Sequence, residues 1–516
     1  MEETKKNLVP LFAALMMTML LASLSQMMLS SALPTIVGEL RGVQFMPWVI
    51  TAYMLASTIT MPIYGKLGDM WGRKPLLLGA IALFIAGSAL GMVSNSMPLL
   101  IASRAIQGLG GGGLIILAQT AIADVIPPRE RGKYMGILGG VFAFSSVAGP
   151  LLGGWLTEGP GWRWAFILNI PLGLLAMAGV AVLMQLPKPS RDKAGRTDYA
   201  GMTVLATATT TIVLIATWGG KTYAWNSLEI VGLVIGAVVL LVAFIIIEQQ
   251  AQEPIIPLSL FKERNFVITT LAASLVSIAM FGAMAYMPTY FQMSAGVSAS
   301  VAGLLMAPMM LMLLGTSIVT GALVSKSGRY KSFPITGSGV LAVGLVLLSS
   351  VSVKSPTFLI CLFIGIVGLG LGMSVQIFTL VVQNSFPHKV VGTATAATNY
   401  FRQVGSSLGS AAVGSLFTAR LSQEMLENLP EGAGEARALG SLTPAALQSL
   451  PDSVRLVIVQ AYNDALIPIF LYLAPLGACA AVLMVFLKEK QLGAEVKREV
   501  AAESLGEGQV LVSEMD

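Results

Sequence analysis

Apolar runs of 18 or more residues recur along this 516-residue chain, and they decide the class of structure it can form. At about 1.5 Å per residue such a run, coiled as a helix, crosses a hydrocarbon core of about 30 Å. No water is available there, so every backbone N–H and C=O must be bonded within the segment, and the runs are expected to be α-helices. Charged residues make up 11% of the chain, against about a quarter in a soluble domain, and the soluble globular class is excluded. Fourteen spans are predicted, near 8–30, 46–64, 76–95, 98–122, 134–156, 164–186, 199–217, 229–247, 266–291, 300–324, 333–352, 356–380, 393–418 and 463–487. The first follows Lys5 and Lys6 but is too long for the apolar core of a signal peptide, and it is read as retained.

Basic residues orient the spans. With the N-terminus in the cytoplasm, most of the 31 lysines and arginines fall in cytoplasmic segments, among them Arg73, Lys74, Arg129, Arg131, Lys133, Arg329 and the tail's Arg498. Both termini are therefore expected to be cytoplasmic, in a bacterial-type inner membrane. The net charge of +5 reflects this asymmetry and implies no nucleic-acid partner. Cys361 and Cys479 fall within spans, and the single histidine, His388, is read as a loop residue, so neither a metal nor another cofactor is expected.

The chain repeats itself. Gly65-Lys-Leu-Gly-Asp69 and Gly72-Arg73 are echoed by Gly321-Ala-Leu323 and Gly328-Arg329, 256 positions later. At an offset of 260, Gly108 and Gly110 match Gly368 and Gly370, Pro127 and Gly132 match Pro387 and Gly392, and Gly149 and Gly154 match Gly409 and Gly414. Four echoes in one order indicate tandem homologous halves. The pair of spans at 199–247 has no counterpart, which leaves six spans in each half. The expected division is a six-helix bundle at 1–187, a linker with two extra helices at 188–262, and a second six-helix bundle at 263–487. The second bundle carries an outer loop at 419–462, and a tail occupies 488–516. Parallel repeats enclosing a midplane site are a transporter architecture.

At these residues the chain resembles the major facilitator superfamily, and more narrowly its 14-helix drug–proton antiporter family. Gly65–Lys74 resembles the superfamily's signature loop, and Leu99-x4-Arg104-x2-Gln107-Gly108 its fourth-helix arginine motif. Gly149-Pro150-x2-Gly153-Gly154 is similar to the fifth-helix motif of exporters, and Ala32-Leu33-Pro34-Thr35 fits the drug-antiporter pattern. The fold this implies is an all-α integral membrane protein of two six-helix bundles plus two central helices. The implied function is proton-coupled efflux of lipophilic small molecules, acting as a monomer among membrane lipids. An exporter dedicated to one endogenous lipid, peptide or metabolite is the second reading, and a non-transporting receptor or scaffold the third. No catalytic domain or phosphate-binding loop is evident, so an enzyme is not expected.

Particular residues follow. Asp69, Arg73 and Lys74, with Asp124 and Arg131 in the next loop, are expected to form a cytoplasmic gate of weak ion pairs that open in each cycle. Arg104 and Arg402 are charges inside spans, costly unless they face a partner or water. Gln26, Gln119, Gln376 and Asn399 are amides in hydrocarbon, and with the arginines they are expected to line the cavity or serve coupling. Pro150, after Gly149, removes a backbone donor and should kink the fifth span, while Gly153 and Gly154 allow close helix packing that seals. Ser325 and Ile364, the second-half positions matching Asp69 and Arg104, are expected to be silent. Met280, Met284, Met287, Met306, Met309, Met310 and Met312, with Phe281, Tyr286, Tyr290 and Phe291, would make an adaptable pocket wherever they line the cavity, although most are expected to face lipid or neighbouring helices. Family members place an aspartate in the first span where this chain has Ser25. A serine carries no proton near neutral pH and offers no counter-charge to a cationic compound. Asp69, Glu158 and Asp464 remain as proton carriers, and the cavity is expected to prefer neutral, zwitterionic or anionic amphiphiles.

Overall fold

A computed structural model describes residues 2–42, 45–184, 197–220, 222–428 and 451–492. The predicted linker residues 188–196, the part of the outer loop holding Glu431 and Glu435, and the tail beyond 492 lie outside the described residues. The first half contains α1 (Glu2–Glu39), α2 (Met46–Trp71), α3 (Arg73–Met92), α4 (Met97–Val125), α5 (Pro128–Glu158) and α6 (Trp164–Leu183, with one non-helical residue at Leu168). The extra pair is α7 (Tyr199–Trp218) and α8 (Leu228–Gln250). The second half contains α9 (Arg264–Ser294, broken after Met284), α10 (Val301–Ser327, broken at Met306), α11 (Ser332–Leu348), α12 (Thr357–Ser385), α13 (His388–Asn428) and α14 (Asp452–Val485).

Among the described residues, 12 of these helices are long and apolar enough to cross a membrane, and the chain is a multi-pass membrane protein. The remaining two occupy predicted positions. The first, α11, is apolar but short, at 17 residues. The second, α13, is 41 residues long, about twice what the core requires, and it is polar because it carries Asn399, Arg402, Gln403 and a series of serines and threonines. The expected outer loop begins later than predicted. Residues 419–428 stay helical because Leu421 and Met425 pack with Met293, Ile458 and Val459 in a small apolar cluster. A solvated loop from residue 419 is thus replaced by two helix ends leaning on each other.

The halves meet along two seams, α2 against α13 and α5 against α10, with α4 and α12 behind them. The repeat is visible in atomic detail. A Cβ on Gly65 would lie 2.9 Å from the Gly392 carbonyl oxygen, and at the related seam Gly321 is pressed in the same way against the carbonyl of Gly132. These four residues are the glycines of the sequence echoes. Glycine is required because two backbones approach where a side chain would stand.

The extra helices cover one seam. An apolar cluster of Leu205, Phe244, Ile255 and Ile256 with Phe266, Val382, Ala397 and Tyr400 joins them to the second half. Thr209 on α7 shares a 2.8 Å hydrogen bond with Tyr400 on α13. Toward α2 the contacts are a 2.6 Å ion pair between Lys66 and Glu253 and an edge-on meeting of Trp48 with Trp218. The pair is built into the second half and touches the first through contacts that can part.

Candidate functional site at the seam between the halves

The bundle has a basic end, where α2, α4, α10 and α12 finish and α5 and α13 start, and a far end. Asp69 ends α2 at the basic end with its side chain 4% exposed. Its carboxylate accepts from the backbone N–H of Gly392 (3.1 Å) and Thr393 (2.7 Å), from the Thr393 hydroxyl (2.8 Å) and from Arg73 Nη2 (3.2 Å). Three of these four donors belong to the other half, near the N-terminus of α13, where the helix dipole favours an anion. Gly392 lacks the side chain that would displace the carboxylate.

Arg73 bridges Asp69 to Asp124 (2.8 Å) and donates to the Thr120 carbonyl, all within the first half. Asp124 in turn lies 3.6 Å from His388 Nδ1 on α13. The histidine read as a bland loop residue therefore opens α13 at the seam. Its partner could not be foreseen, since 264 residues separate the two. Lys74 and Arg131 are placed elsewhere. Lys74 donates to the Ala181 carbonyl at the end of α6 (2.7 Å), and Arg131 donates to the carbonyls of Ile126 (2.8 Å) and Ala123 (2.5 Å), where it closes the end of α4. Both satisfy exposed helix-end carbonyls, the usual use of a cation there.

The second seam corrects the expectation for Ser325. Its hydroxyl accepts from the Lys133 backbone N–H at 2.9 Å, which repeats the bond from Thr393 N–H to Asp69 at the equivalent positions. Arg129 adds donations to the Ser325 and Lys326 carbonyls at 3.4 and 3.3 Å. The two seams thus share a geometry and differ in charge: one is closed by a carboxylate, the other by a hydroxyl.

One step toward the midplane, a chain of amides crosses the halves. Gln383 on α12 donates to the Gln119 carbonyl oxygen (3.3 Å), Asn399 Nδ2 donates to Gln119 Oε1 (3.2 Å), and Arg402 Nη2 donates to Asn399 Oδ1 (2.7 Å). Gln119, Asn399 and Arg402 are thereby brought together, and Gln383, not foreseen, joins them. It lies two turns from Gln376 on the same face of α12, which was the available signal. Gln376 sits at the other seam beside Gly139, its Oε1 buried without a hydrogen-bond partner among the described residues.

The remaining predicted residues lie within the first half. Arg104 is 2% exposed, stacks 4.3 Å over the Tyr53 ring and donates to Gln107. Gln107 donates to Ser88 (2.7 Å). Ser25 is buried and accepts from Asn169 Nδ2 on α6 at 2.9 Å, an amide to which no role was assigned from sequence. Gln26 is half-buried on α1. Met280, Met287, Met306, Met309 and Met310, with Tyr290 and Phe291, are buried in a packed core, against neighbouring helices as expected for most of them.

The fifth-helix motif packs α5 on α1. Gly149 abuts Met27, Gly153 abuts the Met28 carbonyl, Gly154 faces open space, and the helix continues through Pro150. Gly153→Ala is expected to cost about 1–3 kcal/mol by forcing α1 off α5. Gly154→Ala should be neutral or stabilise by up to about 1 kcal/mol, through helix propensity alone. Thermal melting in detergent separates the two, and equal shifts would refute this packing account.

Residues 15–410 match the sequence model of the Major Facilitator Superfamily. The multidrug transporter protein MdtP of Bacillus subtilis (strain 168) is 36% identical over 484 residues, covering 91% of this chain and 88% of its own length. Multidrug resistance protein 3 of the same organism is 31% identical over 482 residues, covering 92% and 94%. An uncharacterised MFS-type transporter of Mycobacterium tuberculosis (strain ATCC 25618 / H37Rv) is 39% identical over 492 residues, covering 95% and 70%. Among solved structures, the proton:xylose symporter XylE superposes with a TM-score of 0.60 at 16% identity, over 95% of this chain and 98% of that one. The human organic anion transporter MFSD10 gives 0.61 at 14% identity, over 92% and 99%. At such identities the likeness shows the fold alone.

Proposed function

The chain belongs to the major facilitator superfamily, as a transporter and not an enzyme, and on that premise we propose that it exports hydrophobic or amphiphilic compounds by proton-coupled antiport. Alternating access moves the two halves, in a bacterial-type plasma membrane with both termini and the basic end in the cytoplasm. One chain acts alone. The relatives named as multidrug transporters supply the efflux reading.

The observation that carries the mechanism is the gathering of contacts between the halves at the basic end: hydrogen bonds at Asp69, Arg129, Lys133 and Gln119, and the approach of His388 to Asp124. They are small, directional contacts, suited to being made and broken in each cycle. Asp69 is the favoured proton carrier. Every contact to its carboxylate comes from a donor, so a proton there sets O–H against N–H and weakens the α2/α13 seam. Protonation is thereby coupled to opening toward the cytoplasm. Glu158 is exposed, and Asp464 accepts from Gln460 (2.8 Å) and Asn463 (3.0 Å) within α14, so neither touches both halves.

Proteoliposomes test this reading. An imposed pH gradient, acid on the side facing the far end, should drive accumulation of a lipophilic dye against its concentration gradient, with counterflow of protons. Dye flux indifferent to the gradient would remove the proton coupling, and absence of flux would favour a receptor or scaffold. A resistance profile restricted to one compound class would favour the dedicated exporter.

A further inference from the structure

We propose that Arg402 is an anion subsite, holding a carboxylate, sulfonate or phosphate group of the transported compound between the halves; this rests on the exporter reading above. The inner arginines differ in what already satisfies them. Arg73 has two carboxylates, Asp69 and Asp124. Arg131 has two helix-end carbonyls. Arg104 keeps an Nε unmatched among the described residues, but it is sealed within the first half against Tyr53 and Gln107 rather than at the seam. Arg402 is partly buried in α13, and its described partner is one neutral amide oxygen, that of Asn399 at 2.7 Å. Among the described residues no carboxylate lies within ion-pair distance of it.

A guanidinium carries five N–H donors in a planar fork that matches an oxyanion by two parallel bonds. One donor is spent on Asn399, and the rest of the fork is available. An unpaired charge at membrane depth is costly and marks a binding or conduction site. The position fits such a site. Asn399 is itself bonded to Gln119 of the opposite half, so the guanidinium stands at the seam, just inside the closed end, where alternation would expose it to either side. In α1 the buried polar group is Ser25, a neutral hydroxyl engaged by Asn169.

A matched pair of probes tests this: anilinonaphthalene sulfonate, and N-phenylnaphthylamine, which is the same skeleton without the sulfonate. In proteoliposomes the wild-type protein should take up the sulfonate with the lower KM. Arg402→Gln should raise that KM about tenfold, the scale of a charge-assisted pair of hydrogen bonds, and leave the uncharged amine within about twofold. Arg402→Lys should restore part of the loss, because the charge returns without the fork. Equal losses for both probes, or a wild-type protein that moves the amine and not the sulfonate, would overturn the subsite while leaving an exporter. Absence of flux for both would overturn the exporter reading and the subsite with it. Should Arg402→Gln fail to insert, fluorescence titration of the purified wild-type protein decides the matter: tighter binding of the sulfonate supports the subsite, and no preference refutes it.

Discussion

Asp69→Asn is expected to lower transport by at least about tenfold and to shift the protein toward a form open at its basic end. The substitution keeps shape and volume, so its effect is confined to charge and to the direction of hydrogen bonding. Asp69 accepts from two backbone N–H groups, one hydroxyl and one guanidinium. Asparagine can present its oxygen to Thr393, but its Nδ2 then faces Gly392 N–H or Arg73, donor against donor. Charge-assisted hydrogen bonds are each worth about 1.5–3 kcal/mol, and they do not add fully. A net loss of about 3 kcal/mol moves a two-state equilibrium about a hundredfold. Spin labels at Trp71 and Lys389, both exposed and on opposite sides of this seam, should report a longer distance in the variant. An unchanged distribution together with normal flux would mean that the latch lies elsewhere. Ser325→Ala at the related seam should have a smaller effect, because a neutral hydroxyl is lost there.

The second large effect is steric. Gly65→Val should abolish transport to below about one part in a hundred while leaving insertion and the melting of each half nearly unchanged. A Cβ at this position lies 2.9 Å from the Gly392 carbonyl oxygen and overlaps the Ala396 side chain. A backbone carbonyl in a helix cannot swing away, and a β-branched side chain has little rotamer freedom with which to avoid it. The α2/α13 seam can then close only by separating the helices, an overpacking cost of about 1–3 kcal/mol or more. Gly321→Val should reproduce the defect at the other seam, where a Cβ would stand 3.0 Å from the Gly132 carbonyl carbon and 3.3 Å from Gly136 Cα. Retained transport in either variant would show that full closure of that seam is not part of the cycle.

Much of the site was legible residue by residue and not as an arrangement. Gln119, Asn399 and Arg402 stood out because amides and charges are expensive in hydrocarbon, and the same expense draws them into one hydrogen-bonded chain. Asp69 stood out through its loop motif, but the expected partner was a basic side chain across the seam. The basic partner, Arg73, lies in the same half, and across the seam Asp69 meets the Thr393 hydroxyl and the backbone of Gly392 and Thr393; backbone groups leave no signature in composition. Lys74 and Arg131 show the converse. Basic residues in a loop read alike, and only the positions of the α6 and α4 ends decide that these two close helices within one half. Asn169, an amide within the span at 164–186, carries the same signal as Gln119 and Asn399 but not the identity of its partner Ser25, while His388 carries none, because it takes its meaning from Asp124, 264 positions away.

By itself the sequence determined the class, the number and approximate placement of the helices, and the two-fold repetition. These follow from local quantities: the length of an apolar run against the thickness of a membrane, and glycine spacings repeated at 256 and 260 positions. The tertiary structure alone decided which seam carries charge, that Ser325 mirrors Asp69, and that the extra helices are built into the second half. It also decided that Arg402 stands at the seam between the halves, whereas Arg104 is sealed within the first half. Those outcomes depend on which groups meet when two bundles are pressed together. Hydrogen bonding and burial act over about 3 Å in space, whatever the separation along the chain.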